Sequence, residues 1–372
     1  MKVLMLSIDD KVFKEGSAVR ERLKMYAKFV DELHVFVYTK EDFQEEKVGQ
    51  KLWIYPSNSK YRIEYYIRGY RFCSRLIKKL KAGRTRVRIT SQEGMTNFLA
   101  TLLSSLNRVP MEIQIHTDIF SSFFRRESYL NRLRLLGYWL GAKRARSIRV
   151  VSERIKIGLI DKWRIPKKKI KVLPIHVDVA RFANGPQTDF LKGRHPEFRH
   201  IILMLSRLTI EKNIELALLV LKDVLVRYPK TGLVIVGEGP LQGSLRKAVY
   251  DMNLGGSVIF LPWADDPIPY YKSADIFLLT SNYEGYGLAL IEAALSKIPI
   301  VTTDVGVVGG IVNKFNALVA PVGDRAKLVS HILFLLQNES ARFLMRERLV
   351  GFGDLLPDKE KYLKDYKSFW LI

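Results

Sequence analysis

The chain has 372 residues, 48% of them hydrophobic, with a single cysteine and a formal net charge of +23. That length exceeds what one hydrophobic core usually supports, so two cored domains are expected. The lone Cys73 excludes an intramolecular disulfide and any paired-cysteine zinc or redox motif, which makes a reducing compartment the expectation, and no apolar run approaches the roughly 20 residues of a membrane span.

In chain order, Val3–Ser7 reads as a first strand, a short apolar run before Asp9 and Asp10 without the basic leader or small-residue cleavage site of a signal peptide. Further strands are expected at His34–Tyr38, Val87–Thr90, Glu112–His116 and Ser147–Val151. Helices are expected at Val19–Phe29, Tyr61–Leu80, Met95–Leu106 and Tyr129–Ala142. This alternation is that of a parallel α/β layer. Residues 60–88 carry eleven Lys/Arg against one acid and residues 121–171 sixteen against three, so these two stretches account for the whole net charge. Tyr61–Lys81 interleaves aromatic and basic residues at helical intervals, and Tyr129–Arg146 has similar character. Such a helix suits the surface of an anionic membrane; the alternative is that its rings are core and its cations a solvated face.

Residues 183–199 break the rhythm with Gly, Pro and charge, which marks them as an interdomain linker. The second half restarts with strands at Ile201–Leu205, Gly232–Val236, Ser257–Phe260, Ile276–Leu279 and Pro299–Thr302. Helices fall between them at Ile214–Arg227, Leu241–Tyr250, a short one ending near Ser273, and Leu288–Ser296. That pattern is a doubly wound, Rossmann-like domain whose ligand groups gather after the strands' carboxyl ends. Tyr362, Tyr366, Phe369 and Trp370 have helical spacing and are expected to pack back on the body of the protein.

The strongest local signal is Ser281-Asn-Tyr-Glu284-Gly-Tyr-Gly287-Leu-Ala-Leu-Ile-Glu292, which follows a strand and opens a helix. Glycines at a helix N-terminus let backbone N–H groups approach an anion. Glu284 in the loop and Glu292 about one turn into the helix suit recognition of a sugar and of a ribose diol. The bland reading of both is solvated acid. Arg207 and Lys212, after the first strand of this half, are placed to stabilise the negative charge that grows on a departing diphosphate; their bland reading is surface solvation.

The run resembles the E-x7-E signature of the retaining GT-B glycosyltransferases of family four (glycosyl transferases group 1). Ser206-Arg207-Leu208 with Glu211-Lys212-Asn213, Val236-Gly237-Glu238-Gly239-Pro240, Ala274-Asp275-Ile276 and Gly306 agree with that family in order and spacing, covering most of residues 200–325. His116, in Ile113-Gln114-Ile115-His116, resembles the family's strand-end histidine near the reacting carbon, and Gly16 stands where the family has paired glycines. A further departure is Ile175-His176, where the family has Asn-Gly after the proline.

The resemblance implies a GT-B architecture: two Rossmann-like domains facing across a cleft, at 1–183 and 200–355, with a C-terminal helix at 356–372 crossing back to the first. It implies His116, Glu284, Arg207 and Lys212 as catalytic residues. The donor would be bound by Gly16, Arg207, Lys212, Gly237, Glu284, Gly285, Tyr286, Gly287, Leu288 and Glu292. No DxD-type motif sits beside the clamp, since Asp265-Asp266 precedes a Pro-rich segment, so neither a metal nor another cofactor is expected. The implied activity is transfer of a sugar, with retention, from a UDP- or GDP-sugar to a glycan or lipid-linked acceptor in cell-envelope polysaccharide, lipopolysaccharide or glycolipid synthesis. A cytoplasmic protein, peripheral on the inner face of the membrane and without nucleic acid partners, would follow. Two alternatives stay open: a catalytically silent relative that binds a sugar nucleotide, and a basic nucleic-acid-binding protein suggested by charge alone.

Overall fold

The computed structural model describes residues 1–83 and 85–371. Arg84 of the basic stretch and Ile372, the end of the expected C-terminal helix, lie outside them. The chain forms two compact units. One comprises Met1–Phe120, Ser128–Pro174 and the chain from Leu363; the other comprises Ser121–Glu127 and Ile175–Tyr362.

The first unit is built on strands β1 (Lys2–Ser7), β2 (Glu32–Val37), β3 (Glu46–Val48), β4 (Leu52–Pro56), β5 (Val87–Ser91), β6 (Met111–Ile115), β7 (Ser147–Val150) and β8 (Ile170–Val172). They form one sheet in the order β3-β4-β2-β1-β5-β6-β7-β8, parallel except where the short β3 pairs antiparallel to β4. The central strands are buried along nearly their whole length, as a parallel sheet covered on both faces requires. The strands β3, β4 and β8 were not expected from the sequence; Glu46–Val48 and Ile170–Val172 are three residues each and lack periodicity.

The second unit has β9 (His200–Leu205), β10 (Thr231–Val236), β11 (Val258–Leu261), β12 (Ile276–Leu279), β13 (Ile300–Thr303) and β14 (Leu318–Ala320), all parallel, in the order β11-β10-β9-β12-β13-β14. The strand order reverses at β9/β12, and the loops leaving these strands open the crevice where a doubly wound sheet takes ligands. Ile202, Met204, Leu233, Ile235, Ile276 and Leu278 of the sheet pack against Leu218 and Leu221 of the helix Ile214–Leu225 and Ile332 of the helix Arg325–Gln337.

Three boundaries differ from the sequence reading. The units divide at Pro174/Ile175 and not within 183–199, because the buried Arg149 side chain ties the carbonyls of Leu173 (3.1 Å) and Pro174 (2.8 Å) to the first unit. The stretch taken as a linker is part of the second unit's body: Leu191 is fully buried, and Phe182 and Phe190 meet Tyr271 and Tyr270 edge-on. Ser121–Glu127, expected in the N-terminal domain, belongs to the second unit. The last helix spans Lys359–Leu371.

From Leu363 onward that helix completes the first unit. Tyr366 stacks on Tyr26 with ring centroids 4.1 Å apart, its hydroxyl accepts from Gln114 Nε2 (2.9 Å), and the Arg149 guanidinium lies 5.0 Å from its ring centroid. Phe369 and Trp370 are fully buried. Tyr366→Ala is therefore expected to lower the unfolding free energy of the first unit by about 3–5 kcal/mol, the cost of emptying an aromatic site in a core. Tyr366→Phe, which keeps the ring and removes the hydroxyl that accepts from Gln114, should cost about 1 kcal/mol. Urea titration followed by circular dichroism reads both; equal losses would place the stabilisation in the hydroxyl and not in the ring.

Candidate functional site

The loop after β12 is tied down by its side chains before it reaches Glu284. Thr280 Oγ1 donates to the carbonyls of Lys212 (3.1 Å) and Asn213 (3.0 Å), and Thr303 Oγ1 donates to the Ser281 carbonyl (2.7 Å). The Asn282 N–H donates to the Glu211 carbonyl (2.8 Å), and Asn213 Nδ2 donates to Asn282 Oδ1 (3.0 Å). Lys212 and Glu284 are thereby brought together across 72 residues of chain. Lys212 Nζ donates to Glu284 Oε1 at 2.5 Å, and Ser281 Oγ donates to the same oxygen at 2.8 Å. Neither bond uses Glu284 Oε2.

Gly287 takes a left-handed conformation (φ +87°) and caps the helix Leu288–Leu295. The first amides of that helix have no carbonyl one turn back, so its start is electropositive. A second loop seals the site. At Gly306 (φ +59°) an added Cβ would lie 2.4 Å from the Tyr286 carbonyl oxygen and 3.0 Å from Glu284 Cβ, and the next amide, of Val307, donates to that carbonyl (3.0 Å). Only glycine allows the loop after β13 to come this close. Gly285 is buried beneath it, while Leu288, at the first helical position, is exposed. Tyr286 is buried, and its hydroxyl has no hydrogen-bond partner among the described residues.

Glu292 stands in the second turn of the helix. Burial pushes its carboxyl up to about 7, partly offset by the Tyr271 hydroxyl, which donates to Oε2 at 2.9 Å, and by Arg181. Near neutral pH the group is thus poised between its two forms. Tyr271 lies 21 residues upstream, and nothing in the sequence signals the pairing.

Arg207 follows β9. Its side chain is 69% exposed, and its guanidinium donates to Glu211 Oε1 (3.1 Å), not to Glu284. The β9 and β10 loops are laced where an added Cβ on Gly237 (φ +147°) would sit 2.0 Å from the Ser206 carbonyl oxygen. The Gly237 N–H donates to Leu261 (3.0 Å) and the Leu208 N–H to Glu238 (2.9 Å). Gly237 therefore lets two strand ends converge, with its amide engaged by the protein.

His116 and Gly16 lie in the first unit. His116 follows β6; its Nε2 is buried and unpartnered among the described residues, and burial, reinforced by Arg149 and Arg22, pushes the imidazole down to about 3, so it is neutral at physiological pH. Gly16 is exposed with φ +73°, ahead of a helix whose first turn is capped by Ser17 Oγ accepting from the Arg20 amide (3.2 Å). An added Cβ there would touch nothing within 4 Å, so the demand for glycine is torsional.

Asp266, of the Asp265-Asp266 pair, accepts from Arg181 (3.0 Å) and the Ile268 amide (3.4 Å). No group of three or more His, Cys, Asp or Glu side chains is gathered for a metal among the described residues.

Comparison with known proteins agrees with this geometry. Over 151 residues the chain is 29% identical to alpha-monoglucosyldiacylglycerol synthase of Streptococcus pneumoniae, covering 38% of this chain and 34% of that protein. Over 249 residues it is 26% identical to the UDP-Gal:alpha-D-GlcNAc-diphosphoundecaprenol alpha-1,3-galactosyltransferase of Escherichia coli, covering 63% and 62%. The chain thus spans less than two thirds of either relative. The structure of HepE from Anabaena, solved in complex with UDP and glucose, superposes with a TM-score of 0.76 at 15% identity, covering 100% of both chains. Residues 187–350 match the model of the family described as Glycosyl transferases group 1, and the chain has the α/β, two-unit GT-B fold.

Proposed function

We propose that the protein is a glycosyltransferase that moves a sugar, with retention and without a metal, from a UDP- or GDP-sugar to a glycan or lipid-linked acceptor of the cell envelope. The observation that carries the reading is the Lys212–Glu284–Ser281 cluster at the mouth of the helix Leu288–Leu295. One face of Glu284 is held by the protein and the other oxygen can accept from a sugar hydroxyl. The relative from Escherichia coli is named for a UDP-sugar donor and a lipid diphosphate acceptor, which favours UDP and a lipid-linked acceptor here.

In this reading the diphosphate lies at the helix N-terminus and gains negative charge as the glycosidic bond breaks. Lys212 spends one of its three protons on Glu284 and keeps two for phosphate oxygens, and Arg207 likewise has N–H groups beyond the one on Glu211. Cations that act on the leaving group stabilise the transition state more than the bound donor. Glu292 takes the ribose hydroxyls, and neutral His116 offers a hydrogen bond to the donor sugar. The acceptor hydroxyl attacks on the face from which the diphosphate leaves, with its proton passing to the departing phosphate.

The basic half supports a membrane-bound site of action. The helix Tyr129–Arg144 packs on the helix Gly94–Leu106 through its small residues: an added Cβ on Gly137 would be 2.1 Å from the Gly94 carbonyl oxygen, and one on Gly141 would be 3.3 Å from Asn97. Tyr138 is buried with them, whereas Tyr129, Leu133, Leu136 and Trp139 are exposed, among Arg132, Lys143 and Arg144. An apolar face rimmed by cations suits an anionic lipid surface. On the helix Arg62–Ala82, by contrast, one apolar stripe of Tyr65, Cys73, Ile77 and Leu80 is buried as core, while Ile63 and Ile67 are exposed.

Three outcomes are expected. UDP or GDP, added without metal, should raise the thermal midpoint, at about 2.7 kcal/mol when the ligand is at a hundred times Kd, and Arg207→Ala should reduce the shift; no shift at millimolar nucleotide would remove the donor site. Glu292 is largely protonated at pH 6, and ribose hydroxyls favour its charged form, so nucleotide binding there should release a proton and tighten as pH rises through about 7. Calorimetry in two buffers of different ionisation heat measures the release; its persistence in Glu292→Gln would deny Glu292 that role. The protein should sediment with anionic vesicles at low salt and about tenfold less at high salt, Trp139→Ser weakening the binding, whereas equal binding to neutral vesicles would count against a membrane surface.

A further inference from the structure

Ser121–Glu127 interrupts the first unit's chain but packs in the second. It forms the short helix Ser122–Glu127. Phe124 is buried edge-on to Tyr283, ring centroids 5.6 Å apart with planes at 89°, and the Tyr283 hydroxyl donates to Glu127 Oε2. Tyr283 is the residue immediately before Glu284. Glu127 is also one of only three acids among the nineteen charged residues of 121–171, so a carboxylate here runs against its surroundings.

We propose that Glu127 and Tyr283 are positioning residues for Glu284, a role that rests on the donor-site reading above. The backbone torsions at Tyr283 and Glu284 aim the Glu284 side chain. On the inner side that aim is set by Lys212 and Ser281; on the outer side the Tyr283 ring is held by Phe124, and its hydroxyl by a charge-assisted bond to Glu127. Loss of that bond removes one of the contacts that fix Tyr283 and so loosens the peptide it shares with Glu284, whose Oε2 then samples directions that miss a sugar hydroxyl. One residue beyond Glu127, Ser128 Oγ accepts from the Asn131 amide (3.1 Å) and starts the helix Tyr129–Arg144. Glu127 is thus one residue from the N-cap of that helix in the chain.

The test compares wild type, Glu127→Gln, Tyr283→Phe and the double variant by hydrogen exchange, with the thermal midpoint measured alongside. Exchange of peptides spanning 281–287 should rise about tenfold in each single variant and no further in the double, with β12 and the thermal midpoint unchanged. Exchange that stays at the wild-type level, or that rises throughout the second unit as the midpoint falls, would overturn the proposal. With UDP and GDP as probes, which carry no sugar for Glu284 to bind, nucleotide affinity should stay within about twofold in the variants. A parallel loss of affinity would also overturn it. Wild type that binds neither nucleotide would defeat the donor-site reading, while the exchange result would still decide whether Glu127 holds the loop.

Discussion

The approach of two backbones at Gly306 is the constraint on which the candidate site depends. The loop after β13 can meet the Glu284–Tyr286 peptide only because position 306 has no side chain, and this contact backs Glu284 against Lys212. The side chains of Lys212 and Glu284 are 16% and 12% exposed, so both charges have lost most of their water. Such a pair is favourable only if its geometry is held by further hydrogen bonds, because a buried charge that loses its partner is strongly destabilising. Thr280, Ser281, Asn282 and Thr303 supply that holding by tying three loops together with bonds of 2.7–3.1 Å. The site is therefore rigid where it grips Glu284 and open at the second carboxylate oxygen.

Its remaining parts follow from sheet topology. Parallel strands send their following loops to one edge, so residues from β9, β12 and β13 meet there although they are up to a hundred positions apart. Gly237 and Gly239 do for β9 and β10 what Gly306 does for β12 and β13, allowing loops to touch where any Cβ would collide with a carbonyl. Electrostatics then differ along the site. Lys212 is neutralised by Glu284, Arg207 is exposed and paired with Glu211, and Glu292 sits deep enough that its own charge is costly near pH 7.

The first unit distributes its residues in an uncommon way. In the helix Tyr129–Arg144 the inward face combines Gly137, Gly141 and Ala142, closely packed on Gly94 and Asn97, with the buried ring of Tyr138, and the outward face carries Tyr129, Leu133, Leu136 and Trp139. Tyr138 supplies the helix's main aromatic burial, while its four outward-facing large side chains gain little, which in water is a cost. The unit is stabilised elsewhere, by the C-terminal aromatics Tyr366, Phe369 and Trp370 and by Arg149, whose guanidinium ties Gln114, Leu173 and Pro174.

Read alone, the sequence determined what depends on local pattern: five of the second unit's six strands to within a residue or two, the helix opening at Leu288, and the E-x7-E spacing. It also determined that basicity belongs to the first half, because charge is a property of composition. Local pattern did not reach β4 or the three-residue strands β3, β8 and β14, nor the division at Pro174, which depends on an arginine 25 positions away. Only the tertiary structure decided that Glu284 pairs with Lys212 and not Arg207, that Tyr271 bonds to Glu292, that Glu127 reaches Tyr283, and that Tyr129 and Trp139 turn outward while Tyr65 and Tyr138 turn into the core. The physical reason is the same in each case. These are contacts between side chains far apart in the chain, with energies set by burial and geometry, whereas periodicity and spacing report only on neighbours within a few residues.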